Sequence, residues 1–406
     1  MQRIVLLGSG FGSVYAYRRL SRLRKKYRKL VQITLVARDN YFLFSPLLHE
    51  VATGGLRQTD AVQPIREIID CKRDRFVQDE VVKVNTSNRL VTLKSGAKLE
   101  YDELIVGLGA QPNFFGVPGA KENALTLKWL SDARTIRNRC LRVMQIATEK
   151  NESGGVDEGL LNWIVVGGGP TGIELATELV EFASSFAERT PSFPLSKLRI
   201  SIYDSGSQVL NNFPEAVRKI ALKNLHQLGI HTILNSRINR VMSDGIETSS
   251  GVVKSQVVMW TAGVEPANVA ISPAIDLVHG CVKVTDNLQI PGINNVYVVG
   301  DMAYVEGVPQ LAQAAVKMGE YAADSIAAGW KKTSISPFKF KNRGMLISLG
   351  QWKSAGYVGP IIISGFIGWW IWRTVYLSKL LGTPNKLRTM IDWTIDIFYR
   401  RDLAEL

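Results

Sequence analysis

The chain has 406 residues, enough for two or three domains of ordinary size. Its 46% hydrophobic content and 35 glycines are those of a globular protein; its three cysteines, Cys71, Cys140 and Cys281, form no CxxC pair, which excludes a disulfide scaffold and a tetrahedral cysteine metal site and fits a reducing compartment. The net charge of +13 calls for an anionic partner, and in the absence of a basic–aromatic nucleic-acid signature a membrane surface is the better match.

The chain enters a strand at once, without a basic and then apolar leader, so no signal peptide is expected. Ile4–Tyr15 (IVLLGSGFGSVY) reads as a buried strand, a glycine turn and the start of a helix. The basic run Arg18–Lys29 lies on that helix and reads as a solvated face. Val31–Ala37 is the next strand, followed by strand-like segments at Asp79–Val84 and Leu90–Leu93. Tyr101–Gly109 is a strand ending in a glycine turn, Pro112–Pro118 a loop, and Leu127–Thr148 a long helix that ends before the glycines of Gly154–Gly159. Ile164–Leu175 (IVVGGGPTGIEL) then repeats the strand–turn–helix pattern. Leu198–Tyr203 and Val257–Gly263 are further strands, Val296–Asp301 is a buried one, and a helix is predicted from about Gln310 to Ala328.

The two glycine motifs serve one physical need. A pyrophosphate must approach the backbone where a helix begins, because free N–H groups and partial positive charge lie there. Gly8 and Gly167 allow the tight turn, while Gly10 and Gly169 remove a side chain that would block a phosphate. The third position is Gly172 in the second copy and Ser13 in the first. Two such motifs suggest a protein that holds two dinucleotides and passes electrons between them.

The C-terminal part differs in character. Between Lys353 and Arg373 lies an uncharged stretch with Trp369, Trp370 and Trp372. Gly356, Gly359 and Pro360 break its first third, leaving a run too short for ~30 Å of hydrocarbon. The tryptophans favour an interfacial depth. A second helix, Asn385–Arg400, places Leu387, Met390, Ile391, Ile395 and Phe398 along one stripe, with Lys386, Arg388, Asp392 and Asp396 elsewhere. From Thr333 onward there are ten Lys/Arg against four Asp/Glu. Apolar helices with tryptophans and basic flanks are expected to lie in an anionic membrane surface as a monotopic anchor. The alternative use of the same helices is packing on the body or at a homodimer interface.

Taken together these residues resemble a type II NADH:quinone oxidoreductase, a single-subunit, FAD-containing respiratory dehydrogenase that does not pump protons. The resemblance covers nearly the whole chain. Its most specific segment is Asn40–Gly55 (NYFLFSPLLHEVATGG), supported by Tyr101–Pro118, Pro170–Glu174, Trp260–Gly263 (WTAG), Gly300–Asp301, Ala312–Gln313 and a tail with Asp392–Trp393 and Tyr399–Arg401. It implies an α/β fold with two Rossmann-like dinucleotide-binding domains. The FAD domain (1–112 and 283–332) is interrupted by an NADH domain (113–282), and a membrane-anchoring helical segment (333–406) follows.

The resemblance implies that Gly8, Ser9, Gly10, Phe11 and Gly12 wrap the FAD pyrophosphate. Gly109 and Ala110 form a turn beside FAD; Asp301, after Gly300, hydrogen-bonds its ribityl or phosphate region, and Ala315 and Val316 lie beside the flavin. Gly167, Gly169, Thr171 and Gly172 hold the NADH pyrophosphate, and Gly263 belongs to the same cofactor-binding set. Asp204 ends the following strand, where an acid binds both ribose hydroxyls and repels a 2′-phosphate, so NADH is favoured over NADPH. Glu174 sits near the nicotinamide–flavin contact and tunes or relays charge; read by position alone, an acid in the first turn complements the helix dipole. Gln313 faces the head of a membrane quinone.

Two residues depart from the pattern. Where an acid usually holds the FAD ribose the chain has Ala37, followed by Arg38, which could stack on adenine or meet a phosphate, and Asp39, which could reach the ribose. Lys317 replaces a second glutamine; it could donate a proton to a quinone oxygen or point to solvent. The expected reaction is hydride transfer from NADH to FAD and then two electrons to quinone, with no metal, at the cytoplasmic side of the cell inner membrane. Three other readings share parts of this pattern: a sulfide:quinone reductase, which needs two cysteines flanking the flavin, a non-catalytic NADH-sensing flavoprotein, and a soluble diaphorase.

Overall fold

The computed structural model describes residues 1–398 and 401–405, so Tyr399 and Arg400 of the tail motif, and the side chains of Asp396 and Phe398, lie outside the described residues. The chain divides into two compact units.

The first unit comprises Met1–Leu43, Val62–Gln111 and Val264–Asn342. Its sheet runs Val296–Val298, Glu103–Val106, Gln2–Leu7, Val31–Ala37, Arg75–Gln78, every pair parallel. Ile4, Leu6, Leu7, Ile33, Leu35, Leu104 and Ile105 are fully buried, as continuous apolar strands covered on both faces must be. Gln2–Leu7 is central: the chain goes to one side of it for Val31–Ala37 and to the other for Glu103–Val106. A crevice for a ligand opens where the strand order reverses in this way. Helix Phe11–Lys26 packs on helix Ala312–Lys331. The basic run is not uniformly solvated: Arg24 is buried, and its guanidinium grips Asp74 through two hydrogen bonds of 2.5 and 2.9 Å while Tyr17 donates to the same carboxylate. An arginine was tolerated there because its partner arrives from a distant loop.

The second unit comprises Phe44–Ala61, Pro112–Gly263 and Arg343–Leu406. Its parallel sheet runs Leu125–Thr126, Val257–Trp260, Asn162–Val166, Arg199–Tyr203, His231–Ile233, again with the fingerprint strand in the middle. The units divide at Gly263/Val264 and Asn342/Arg343, against the sequence expectations of 282/283 and 332/333. Strand pairing explains the first difference: Ala270–Ser272 pairs with Val81–Asn85, and Cys281–Lys283 with Ala303–Tyr304, all inside the first unit.

The C-terminal residues do not form a helical hairpin alone. Gly344–Ser348, Ser354–Val358 and Ile361–Ser364 make an antiparallel sheet, with Gly359 (φ +56°) and Pro360 as the turn between the last two strands. The apolar stretch is therefore part strand. The helices Gly365–Lys379 and Thr383–Phe398 follow. Trp369 and Trp372 are buried rather than interfacial, Trp369 against Trp352 (4.7 Å between ring centroids) and Trp372 stacked on Tyr376 (4.6 Å). Trp370 is exposed, together with Ile361, Ile362, Phe366 and Ile367.

The last helix inverts the usual arrangement. Asn385, Thr389 and Trp393 face the interior, while Leu387, Met390, Ile391 and Ile395 are each 42–52% exposed. Among the described residues no helix is long and apolar enough to cross a membrane.

Candidate functional site

In the first unit the glycine motif is built by close approach. Gly8 has φ +96°, and a Cβ there would lie 2.3 Å from the Gly107 carbonyl oxygen; its N–H donates to Val36 O at 2.7 Å. Gly10 caps the helix without a side-chain hydrogen bond, and nothing lies within 4 Å of where its Cβ would be. The helix thus starts with no side-chain cap and with open space beside Gly10, which suits an anionic pyrophosphate. Ser9 lies in the turn, and Phe11 and Gly12 open the helix; Phe11 packs edge-on against Phe42 (5.0 Å).

Ser13 turns out to be compatible with the motif. It is fully buried and its hydroxyl donates to Leu7 O at 2.7 Å, and the room for it comes from Gly107, whose Cβ would meet the Ser13 Oγ at 2.5 Å. Gly300 (φ +70°) and Asp301 form a short turn after the strand Val296–Val298, and a Cβ on Gly300 would meet the Ala315 Cβ at 3.4 Å. Gly12, Gly300, Asp301 and Ala315 therefore converge at one end of the sheet. Gly109 (φ +76°) has open space beside it and accepts from Ala267 N at 2.9 Å; Ala110 begins the strand that follows. Arg38 and Asp39 pair with each other at 3.0 Å, at the end of Val31–Ala37.

On helix Ala312–Lys331, Gln313 donates to Asn342 Oδ1 at 2.9 Å, Val316 is partly buried, and Lys317 is exposed and paired with Glu320 at 2.6 Å. A residue the sequence reading missed is Gly319. Its Cβ would meet the Gly12 carbonyl oxygen at 2.1 Å, so it sets how closely the two helices cross.

The second unit repeats the design. Gly167 (φ +111°) donates to Tyr203 O at 2.8 Å and its Cβ would strike Ala262. Gly169 opens the helix Pro170–Arg189 with no side-chain cap and open space beside it, Thr171 is exposed, and a Cβ on Gly172 would lie 2.0 Å from Gly167 O. Gly263 lies against the Phe115 ring. Asp204 accepts from Gly168 N (2.6 Å) and Gly206 N (2.7 Å), which fixes the carboxylate beside the motif; each oxygen keeps capacity for another donor such as a ribose hydroxyl.

Glu174 is not in the first turn, since the helix begins at Pro170 and Glu174 is its fifth residue. It is buried. Its Oε1 accepts from Ser348 N at 3.1 Å, and its Oε2 is 3.7 Å from His49 Nδ1. Burial, with the nearby carboxylates of Glu50 and Glu178, raises its pKa to about 8, against the pull of the Ser348 N–H. Burial likewise lowers His49 to about 4, and its Nε2 has no hydrogen-bond partner. At neutral pH this is a neutral acid beside a neutral imidazole, not an ion pair.

Behind the pair lies a charged cluster that the sequence did not reveal. Arg401 Nη2 contacts Glu178 Oε2 at 2.6 Å and Glu181 Oε2 at 2.5 Å, and Nη1 donates to Thr53 Oγ1 at 2.9 Å. Burial pushes Glu178 up, but Arg401, with smaller help from His49 and Thr53, more than offsets this and holds it below its ordinary value. Trp393 Nε1 donates to Glu50 Oε2 at 2.7 Å. Such an arrangement can store a proton at the Glu174 carboxyl while keeping Glu178 ionised.

Cys140 is buried on the helix Leu130–Glu152, and burial raises both its thiol and that of Cys281, so neither is activated for redox work. Among the described residues no cluster of His, Cys, Asp and Glu has the make-up of a metal site.

Comparison with known proteins bears on these geometries. The pyridine nucleotide-disulphide oxidoreductase family matches residues 2–319, and the NDH2 C-terminal domain matches residues 343–402. The chain is 32% identical to the type II NADH:quinone oxidoreductase Ndh of Mycobacterium tuberculosis, over 98% of this chain and 89% of that protein. In fold it is similar to NDH2 from Plasmodium falciparum, solved in complex with NADH, with a TM-score of 0.88 at 21% identity over 99% of both chains. The sulfide:quinone oxidoreductase of Aquifex aeolicus is a more distant neighbour, with a TM-score of 0.73 at 18% identity, over 100% of this chain and 98% of that one.

Proposed function

The chain belongs to the pyridine nucleotide-disulphide oxidoreductases and, among them, to the type II NADH:quinone oxidoreductases, and on that premise we propose how its residues divide the work. It is an FAD-dependent NADH:quinone oxidoreductase. FAD, when bound, supplies the redox chemistry by taking a hydride from NADH and releasing two electrons to a quinone. The observation that carries this reading is the pair of open helix N-termini, at Gly10 and Gly169, each at the strand-order reversal of its own parallel sheet.

The first motif, Gly8 to Gly12, would hold the FAD pyrophosphate, with Gly109, Ala110, Gly300, Asp301, Ala315 and Val316 around the rest of the cofactor. Arg38 and Asp39 would meet its adenosine end. Gly167, Gly169, Thr171, Gly172 and Gly263 would hold NADH, with Asp204 on the ribose. Gln313 would donate to a quinone oxygen. Lys317 already has an acidic partner in Glu320, so its part is a charge at the edge of that site. Glu174 holds a transferable proton at its carboxyl.

The test is direct. The purified protein should be yellow, NADH should bleach it without oxygen, and a water-soluble quinone should restore the colour. A colourless protein, or a flavin that NADH leaves oxidised, overturns the reading.

We place the protein on the cytoplasmic face of the inner membrane, lying on the anionic surface through Ile361, Ile362, Phe366, Ile367, Trp370, Leu387, Met390, Ile391 and Ile395. Deleting everything from Pro360 onward would also remove buried Trp372, Trp393 and Arg401, so point changes are the cleaner probe. Ile367→Asp with Ile391→Asp is expected to move most of the protein from membranes to the soluble fraction with its flavin retained. Unchanged sedimentation with vesicles of anionic lipid would overturn this placement, and conversion of a dimer to a monomer without loss of membrane binding would assign the face to a second copy of the chain instead.

A further inference from the structure

The C-terminal tail reaches back into the second unit. Arg137 Nη2 contacts both the carbonyl and a carboxylate oxygen of Asp402 at 3.0 Å, and Arg189 donates to Arg401 O at 3.0 Å. Gly54 (φ +74°) makes room for this path, because a Cβ there would lie 2.6 Å from Asp402 O. These contacts hold the backbone at Arg401 and Asp402, and the Arg401 side chain runs inward. There it joins Glu178, Glu181 and Thr53, while Thr53 Oγ1 donates to His49 O at 2.9 Å.

We propose that Arg401 is a positioning residue of this site: its guanidinium, delivered by the C-terminal tail, neutralises Glu178 and Glu181 behind the His49–Glu174 pair, so that the pair holds a single transferable proton only while the tail is docked. The proposal rests on the reading of Glu174 as the proton-holding acid. It also gives the tail, which follows the outward-facing apolar helix, a direct hold on the chemistry.

Charge accounting supports it. Around His49, its own helix carries Glu50, satisfied by Trp393. The helix Pro170–Arg189 carries Glu174, Glu178 and Glu181, and the helix Leu130–Glu152 carries Arg137, paired with Asp402. The Trp-bearing helix contributes Tyr376, held protonated by burial, and Arg373, whose guanidinium lies 3.9 Å from the Trp369 ring centroid. The neighbouring turn contributes Asp60 and Arg57, both facing Asp392. Arg401 is thus the cation set directly against Glu178. Without it a buried carboxylate is stranded, and His49, which Glu178 raises and Arg401 lowers, is a neighbour that can take the compensating proton.

The chain has four histidines, so histidine-selective NMR titration of the flavoprotein can follow His49 once His49→Asn has identified its signal. In the wild type His49 should remain neutral to below about pH 5, in line with its value of about 4. In Arg401→Gln its midpoint should rise by about one unit or more, and Arg401→Lys should reverse most of that rise. The double variant Glu178→Gln/Arg401→Gln leaves no carboxylate stranded at position 178, and it carries the comparison if the single variant does not fold; His49 should stay neutral in it. An unchanged midpoint in a folded Arg401→Gln overturns the proposal. So does a His49 that titrates like free histidine in the double variant, because the tail would then act by covering the ring and not by its charge. Failure of NADH to bleach the wild-type flavin would instead overturn the functional reading and leave these titrations standing.

Discussion

Glu174→Gln is expected to lower NADH:quinone turnover by roughly 10–100-fold with flavin content and melting temperature close to wild type. Glutamine fills the same space and can still accept from Ser348 N, but it has no proton to give. Because Glu174 has its pKa raised to about 8, the carboxyl is protonated below that pH and loses its proton above it. The wild-type rate should therefore fall on the alkaline side of about 8, and that limb should be missing from the residual activity of Glu174→Gln. Stopped-flow bleaching of the flavin by NADH, followed by reoxidation with quinone, shows which half-reaction carries the loss. Wild-type rates for both halves in a folded variant would remove Glu174 from the mechanism.

The same shift has a stability consequence. The folded state binds this proton more tightly than the unfolded state, so Glu174 contributes stability at low pH that declines as the pH rises from the ordinary carboxylate range through about 8. His49 behaves oppositely. It is neutral when folded and protonates more readily when unfolded, so its contribution is present above the ordinary histidine value and is lost as the pH falls toward about 4.

Gly319→Ala should produce a large loss of stability in the first unit, about 3 kcal/mol or more, together with release of flavin. The added methyl would sit 2.1 Å from Gly12 O and 3.2 Å from Ala16 N, both backbone atoms of the facing helix that cannot rotate away. Relief requires the helices to separate, and that moves the turn from Gly8 to Gly12 on which the pyrophosphate would rest. Gly329, on the same helix, has nothing within 4 Å of its Cβ position, so Gly329→Ala should be neutral or stabilise by up to about 1 kcal/mol. Thermal melts and bound-flavin absorbance of the two variants check the contrast. Equal behaviour would show that the helix crossing has more slack than this geometry allows.

Much of the architecture was legible because its requirements are local. Val31–Ala37 and Leu90–Leu93 were read with their observed bounds, and both glycine motifs announce a turn that only residues without a side chain can make. The C-terminal stretch was misread in part. An uncharged run of this length carries no periodicity that separates a strand hairpin from a helix, and Gly359–Pro360 marks a break without saying what lies on either side. Trp369 and Trp372, though not the exposed Trp370, were misplaced for a related reason, since an indole suits an interface and a packed interior equally well.

What the amino-acid order determined alone was the pair of dinucleotide motifs, and with them the chemistry, because each motif encodes its own turn, helix start and phosphate cradle within a dozen residues. Tertiary structure alone decided the rest of the site. His49, Glu174 and Arg401 come from three distant parts of the chain, and a carboxyl pushed up by burial beside another held down by an arginine cannot be told apart in sequence. Proton affinity depends on which charges and dipoles surround a group in space, and only the folded chain sets those distances.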